Sequence, residues 1–176
     1  MYRMKGLTRI ILVLTMLLVM SGCSEKTLDF NNPDVDLFVE QLKSGTYKTE
    51  SPEGFIEVPN FKTNDIPKLL SYSTDMTQIS SFPLPPVSPY IGGEIKLGEC
   101  MLWIVESIRI GDYASLGCHM VRINAENYEA RYFLTDEEIL DASVHYKRWW
   151  DNRSYPRTRW SVDPCFDDPL CGTGYR

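Results

Sequence analysis

Fourteen consecutive residues, Leu97–Ile110 (LGECMLWIVESIRI), constrain this chain more than any other stretch. Leu97, Met101, Ile104, Val105 and Ile108 recur at the spacing of one helical face, Cys100, Trp103 and Ile110 widen the stripe, and Gly111 supplies a stop. The run is too long for an ordinary buried strand. A helix apolar around most of its circumference belongs at the centre of a small domain, covered by the other elements. The whole chain has 176 residues, 43% hydrophobic and 24% charged, which fits one soluble globular domain and excludes a disordered, collagenous or multi-span membrane protein.

The covering elements are helical as well. Asn32 and Pro33 ahead of DVDLFVEQLKSG read as an N-cap and first helical position, with Asp34 near the positive end. Val35, Phe38, Val39 and Leu42 then form one face and Gly45 ends the helix. Residues 46–63, with Pro52, Gly54 and Pro59, read as an ordered loop. A short helix follows, capped by Thr63 or Asn64 and running from Asp65 to Ser73, with Pro67 held to its first turn. Phe82–Pro89 has four prolines in eight residues and reads as a polyproline-like surface crossing. Met120–Ile123 and Ala130–Leu134 flank the turn-forming Asn124–Asn127 and predict a small hairpin. Thr135-Asp136-Glu137-Glu138 is a capping box that starts a helix to about Asn152, with Ile139, Ala142, Tyr146, Trp149 and Trp150 inward. The expected fold is therefore mainly α: a small single-domain helical bundle with long ordered loops and one short β-hairpin.

The N-terminus carries a sorting signal. Arg3, Lys5 and Arg9 precede an eleven-residue apolar run, Ile10–Met20, which is too short to span a bilayer as a helix and is followed by small residues. Met20-Ser21-Gly22-Cys23 resembles the lipobox of bacterial lipoproteins, with Met20 where Leu is usual. That resemblance implies a signal peptide over residues 1–22, acylation of Cys23, a polar tether over 23–31 and a domain over 32–176. Each buried methylene of an acyl chain contributes about 0.8 kcal/mol, so such a cysteine holds a water-soluble domain on a membrane without a spanning helix. Localisation would be lipid-anchored at the outer membrane. Ser24-Glu25 is too weak an export signal to choose between the periplasmic and cell-surface faces.

Removing the three leader cations takes the 18 basic residues to 15 against 24 acidic, a balance of -9 on the mature chain. An acidic protein offers no footprint for a phosphate backbone, so nucleic acid is not the expected partner. Cys100, Cys118, Cys165 and Cys171 remain after Cys23, an even number that permits three pairings in an oxidising compartment. Cys165 and Cys171 enclose only five residues and are the candidate local disulfide. No Cys-x-x-Cys pair is present, so zinc is the weaker reading, and Cys100 alternatively reads as a buried free thiol.

Little in the chain points to catalysis. Histidines number only two, His119 and His145, and His145 stands one helical turn from Asp141 as on an exposed charged face. No nucleophile elbow, phosphate loop, dinucleotide fingerprint or zinc-protease motif occurs. Glu99 and Glu106, seven residues and about 10 Å apart on one helix, would suit a carboxylate-based glycan hydrolase, but Arg109 is placed to pair with Glu106. Trp149, Trp150, Tyr155 and Trp160 lie within twelve residues, interleaved with Arg148, Arg153, Arg157 and Arg159. Adjacent residues point about 100° apart on a helix, so the two tryptophans cannot share one core stripe. One is then available to stack on a sugar ring beside Asp151 and Arg153, while the competing reading has both rings sealing the core under stacked arginines.

Several segments together resemble an uncharacterised lipoprotein family of gut Bacteroidetes, defined only as a domain of unknown function. They are Asp65-Ile66-Pro67 with Leu69-Leu70-x-Tyr72, Leu97–Trp103 with Glu106–Arg109, Leu134–Ile139, Tyr146-x-x-Trp149-Trp150, and Asp168-Pro169-Leu170-x-Gly172-x-Gly174-Tyr175-Arg176. The resemblance implies a small, mainly helical lipoprotein and supplies no activity, cofactor or catalytic residue. The expectation is a non-enzymatic envelope lipoprotein, without cofactor or metal, that binds a partner protein or a glycan. Its candidate contacts are Trp149, Trp150, Trp160, Tyr155 and Arg153, together with the Pro83–Pro89 loop. A glycan hydrolase and an architectural subunit of an outer-membrane assembly stand as alternatives.

Overall fold

The computed structural model describes residues 26–84, 94–115, 117–123, 131–153 and 167–176. Among the described residues four α-helices carry the fold: α1 (Val35–Ser44), α2 (Ile66–Ser71, entered through a 3-10 turn at Thr63–Asp65), α3 (Leu97–Ile110) and α4 (Asp136–Asn152). Two antiparallel pairs accompany them, β1 (Gln78–Ile79) with β2 (Ile95–Lys96), and β3 (Val121–Ile123) with β4 (Arg131–Phe133).

The apolar helix is the hub that its sequence requires. Residues Leu97–Val105 of α3 are all buried, and α1, α2, α4 and β2 pack against it. Its first amides are satisfied from outside the helix, Leu97 N–H by the Thr77 carbonyl at 3.0 Å and Gly98 N–H by the Asp75 carbonyl at 2.7 Å. That approach is tight enough to dictate a residue. A Cβ on Gly98 would stand 2.5 Å from the Ser73 carbonyl oxygen.

The capping box of α4 forms as read: Thr135 Oγ1 accepts from Glu138 N–H at 3.4 Å and Glu138 Oε2 accepts from Thr135 N–H at 2.9 Å. The start of α1 differs. Asp34, not Asn32, is the N-cap, its carboxylate accepting from Leu37 N–H at 3.0 Å, because Asp29 already holds the amides of Asn31 and Asn32 in a turn of their own. Pro33 therefore precedes the helix. The short helix also starts later and ends sooner than its expected Asp65–Ser73, with Thr63–Asp65 wound as a 3-10 turn and Pro67 in its first α turn.

Residues 26–31, expected to be part of a tether, are packed on the domain. Leu28 is buried, the Lys26 carbonyl accepts from Gln41 Nε2 at 3.0 Å, and the Phe30 carbonyl accepts from Asn60 N–H at 2.9 Å, so the chain is docked from Lys26 onward. The hairpin places Val121 opposite Phe133 and Ile123 opposite Arg131, and Tyr175 pairs on the other side of Arg122. Phe82, at the start of the proline-rich segment, is buried edge-on to Trp103, while residues 85–93 lie outside the described residues.

Candidate functional site

Glu106 and Arg109 sit one turn apart near the end of α3, as their spacing requires. Arg109 donates to both Glu106 oxygens, from Nε at 2.8 Å and from a terminal nitrogen at 2.5 Å, and Tyr146 of α4 donates its hydroxyl to Glu106 at 2.9 Å. Burial pushes the Tyr146 phenol well above its ordinary range, and the neighbouring Glu106 carboxylate pushes it further, so it remains a donor. The Glu106 hydrogen bond likewise raises Arg109. Arg109 reaches across to a third segment too, donating to the Asp167 carbonyl at 2.5 Å. Such a bidentate pair locks the guanidinium in one orientation.

Two cavities meet at that arginine. The larger, about 680 Å³, is lined by Trp103, Glu106, Arg109, His119, Phe133, Tyr146, Tyr175 and Arg176 among others. The smaller, about 530 Å³, is lined by Thr63, Ile66, Ile108, Arg109, Trp149, Arg153 and Asp167. Two of the candidate contacts read from sequence, Trp149 and Arg153, are thus brought to one concave surface with Arg109 and Asp167. Trp150 is half-buried and has Arg153 stacked 3.5 Å above its ring, while Trp149 meets Tyr146 edge-on. Tyr155 and Trp160 lie outside the described residues. Arg109 and Asp167 were not legible as site residues, because 58 positions separate them and no spacing links them.

The paired glutamates do not share a cleft. Glu99 is 2% exposed and accepts from Met120 N–H at 2.5 Å, with His119 Nδ1 at 3.3 Å from its other oxygen. It borders a separate cavity of about 180 Å³. His119 also stacks near Phe133, with centroids 4.4 Å apart. Cys100 and Cys118 are buried free thiols hydrogen-bonded to one another. Burial raises Cys100, and the bond from Cys100 lowers Cys118. Cys171 is disulfide-bonded, which removes it from any thiolate ligand set, and its expected partner Cys165 lies outside the described residues. His145 faces Asp141 at 3.8 Å on the outer side of α4, as expected.

A family model described as a domain of unknown function (DUF4943) matches residues 29–176. This chain belongs to the DUF4943 family. No curated protein and no solved structure matches it. The matched span begins within the docked N-terminal segment and takes in every element of the DUF4943 fold, both cavities included.

Proposed function

We propose that this DUF4943 chain is a non-enzymatic lipoprotein of a bacterial envelope, of the kind found in gut Bacteroidetes, anchored through Cys23 and binding a glycan at the Trp149 cavity. The observation that carries the reading is the lining of that cavity. Trp149 offers a flat apolar face, Arg109 and Arg153 offer planar donors, and Asp167 offers acceptors, a set that suits the alternating C–H and hydroxyl surfaces of a sugar ring. Pre-orientation of Arg109 by Glu106 reduces the ordering cost of binding. A hydrolase needs two carboxylates open to one cleft, and Glu99 and Glu106 border different cavities with their oxygens already engaged.

The test is thermal unfolding of soluble residues 24–176 with and without a panel of host and dietary glycans. A ligand at 100 times its Kd stabilises the fold by about 2.7 kcal/mol, a rise on the order of 5 °C for a domain of this size. The rise is expected to vanish in Trp149→Ala and Arg153→Ala. No shift with any glycan transfers the site to a protein partner, sought by crosslinking in the envelope. The anchor is tested separately: Cys23→Ala is expected to abolish palmitate labelling and membrane fractionation, and persistence of both would remove the lipoprotein reading.

A further inference from the structure

The docked N-terminus leaves very little chain between the proposed anchor and the domain. Cys23 and Lys26 are three residues apart, and a fully extended chain covers at most about 3.6 Å per residue, so Lys26 stays within about 11 Å of the lipidated cysteine. That reach is comparable to a headgroup layer, roughly 6 Å per leaflet. The domain is therefore held against the membrane by the end that carries Lys26.

That end can be traced. Lys26 is bound by Gln41, in the last turn of α1. The Gln41 carbonyl also accepts from Thr46 N–H at 2.9 Å, and Tyr47, next in the chain, donates its hydroxyl to the Glu57 carbonyl. Tyr47 and Glu57 form the base of a tight turn in which Glu50 bridges Ile56, Ser51 N–H donates to the Phe55 carbonyl at 2.8 Å, and Gly54 N–H donates to the Ser51 carbonyl at 2.9 Å. Gln41 thus links the two segments, its side chain holding Lys26 and its carbonyl holding the stretch of chain that leads into the turn. The turn presents two adjacent large apolar residues, Phe55 at 52% and Ile56 at 50% exposure, whereas Phe38 and Phe61 behind it are buried. Tyr113, half exposed, lies within electrostatic reach of Glu57 and Glu53.

We infer that the Glu50–Ile56 turn is a second membrane contact, in which Phe55 and Ile56 enter the interface of a neutral phospholipid bilayer beside the lipid anchor. The inference rests on acylation of Cys23. Exposed apolar side chains on an element held at the interface partition into it, and aromatic rings favour the headgroup level. Glu50, Glu53 and Glu57 outnumber Lys48 around the turn, so anionic lipid weakens the contact rather than causing it. Acyl chains supply the affinity, and the turn fixes which side of the domain faces outward.

The experiment uses the full lipidated protein in phosphatidylcholine vesicles, with the acyl mass on Cys23 confirmed and a nitrobenzoxadiazole label on Glu53→Cys. The expected result is strong quenching by lipids brominated near the headgroup, reduced several-fold in Phe55→Ser/Ile56→Ser and reduced by replacing half the lipid with phosphatidylglycerol. Quenching unchanged by the double substitution would mean the short leash alone brings the turn close, and would overturn the contact. No quenching in protein of confirmed acyl mass overturns it too, with the anchor intact. Absence of the acyl mass overturns both readings. Both residues are half exposed, so an unaltered melting temperature in the double variant shows that folding is not the cause.

Discussion

Replacing Gly98 by alanine tests the packing of the central helix, because two physical effects oppose each other there. Glycine in a helix interior is about 1 kcal/mol worse than alanine, an upper bound for Gly98 at the second position of α3, so on propensity alone the substitution stabilises by no more than that. The structure sets a larger cost against that gain. The new Cβ would meet the Ser73 carbonyl oxygen at 2.5 Å, the Ser73 carbonyl carbon at 2.9 Å and Met76 Cε at 2.8 Å. Met76 can swing aside, but Ser73 cannot. Its hydroxyl donates to the Leu70 carbonyl at 2.7 Å and lies 2.6 Å from the Ser143 hydroxyl of α4, both buried. Overpacking costs about 1–3 kcal/mol, and a contact with fixed backbone belongs at the upper end, about 3 kcal/mol. Subtracting the propensity gain leaves a loss of about 2 kcal/mol, which at 2–4 °C per kcal/mol lowers the melting temperature by about 4–8 °C. Circular-dichroism melting of residues 24–176 reads this directly. A Gly98→Ala protein as stable as the parent, or more so, would refute the close approach of α3 to the 73–76 segment.

Other perturbations probe separate parts of the molecule. Trp103→Ala removes a ring that packs edge-on to Phe82, stacks on Tyr113 and donates to Ser115 at 3.0 Å, and should cost about 3–5 kcal/mol in urea unfolding; a loss under 1 kcal/mol contradicts its placement. Burial raises Asp75, but the hydrogen bonds from Lys43 and Thr77 outweigh it, so its folded value lies below the ordinary 3.8. The stability advantage of the parent over Asp75→Asn should accordingly be full above pH 3.8 and fade as the pH falls through the lowered value, whereas an advantage that grows on acidification contradicts the pairing. Thiol titration of soluble residues 24–176 should find no reactive group in native protein and two, Cys100 and Cys118, after denaturation without reductant; four would exclude the Cys171 disulfide.

What the sequence disclosed was whatever is written in local periodicity. Leu97–Ile110 could be bounded to the residue because its stripe and Gly111 agree, and Thr135–Glu138 because a capping box has a fixed spacing. Trp149 and Trp150 both pack part-buried against the core with rings 6.0 Å apart, and Arg153 stacks on Trp150, as in the reading that has them seal the core. The α1 cap was displaced because Asn32 and Asp34 are both good caps, and the competing turn at Asp29 decided between them. Strands of two residues, β1 and β2, are too short to show a period. The contacts of the site were the least legible: Glu99 with His119, Arg109 with Asp167 and Glu106 with Tyr146 join residues 20, 58 and 40 positions apart.

The central position of α3 also sets how this molecule exchanges hydrogen with solvent. With α1, α2, α4 and β2 all lying on it, amides beyond its first turn between Met101 and Val105 can meet deuterium only when those covers separate together. Their exchange rate is thus a gauge of the free energy of the entire fold. The turn from Ser51 to Ile56 is closed by two backbone hydrogen bonds and should open on its own and exchange early. A single labelling time course therefore carries two clocks, one slow and global, the other fast and local, and an occupant of the Trp149 cavity would slow the first without touching the second.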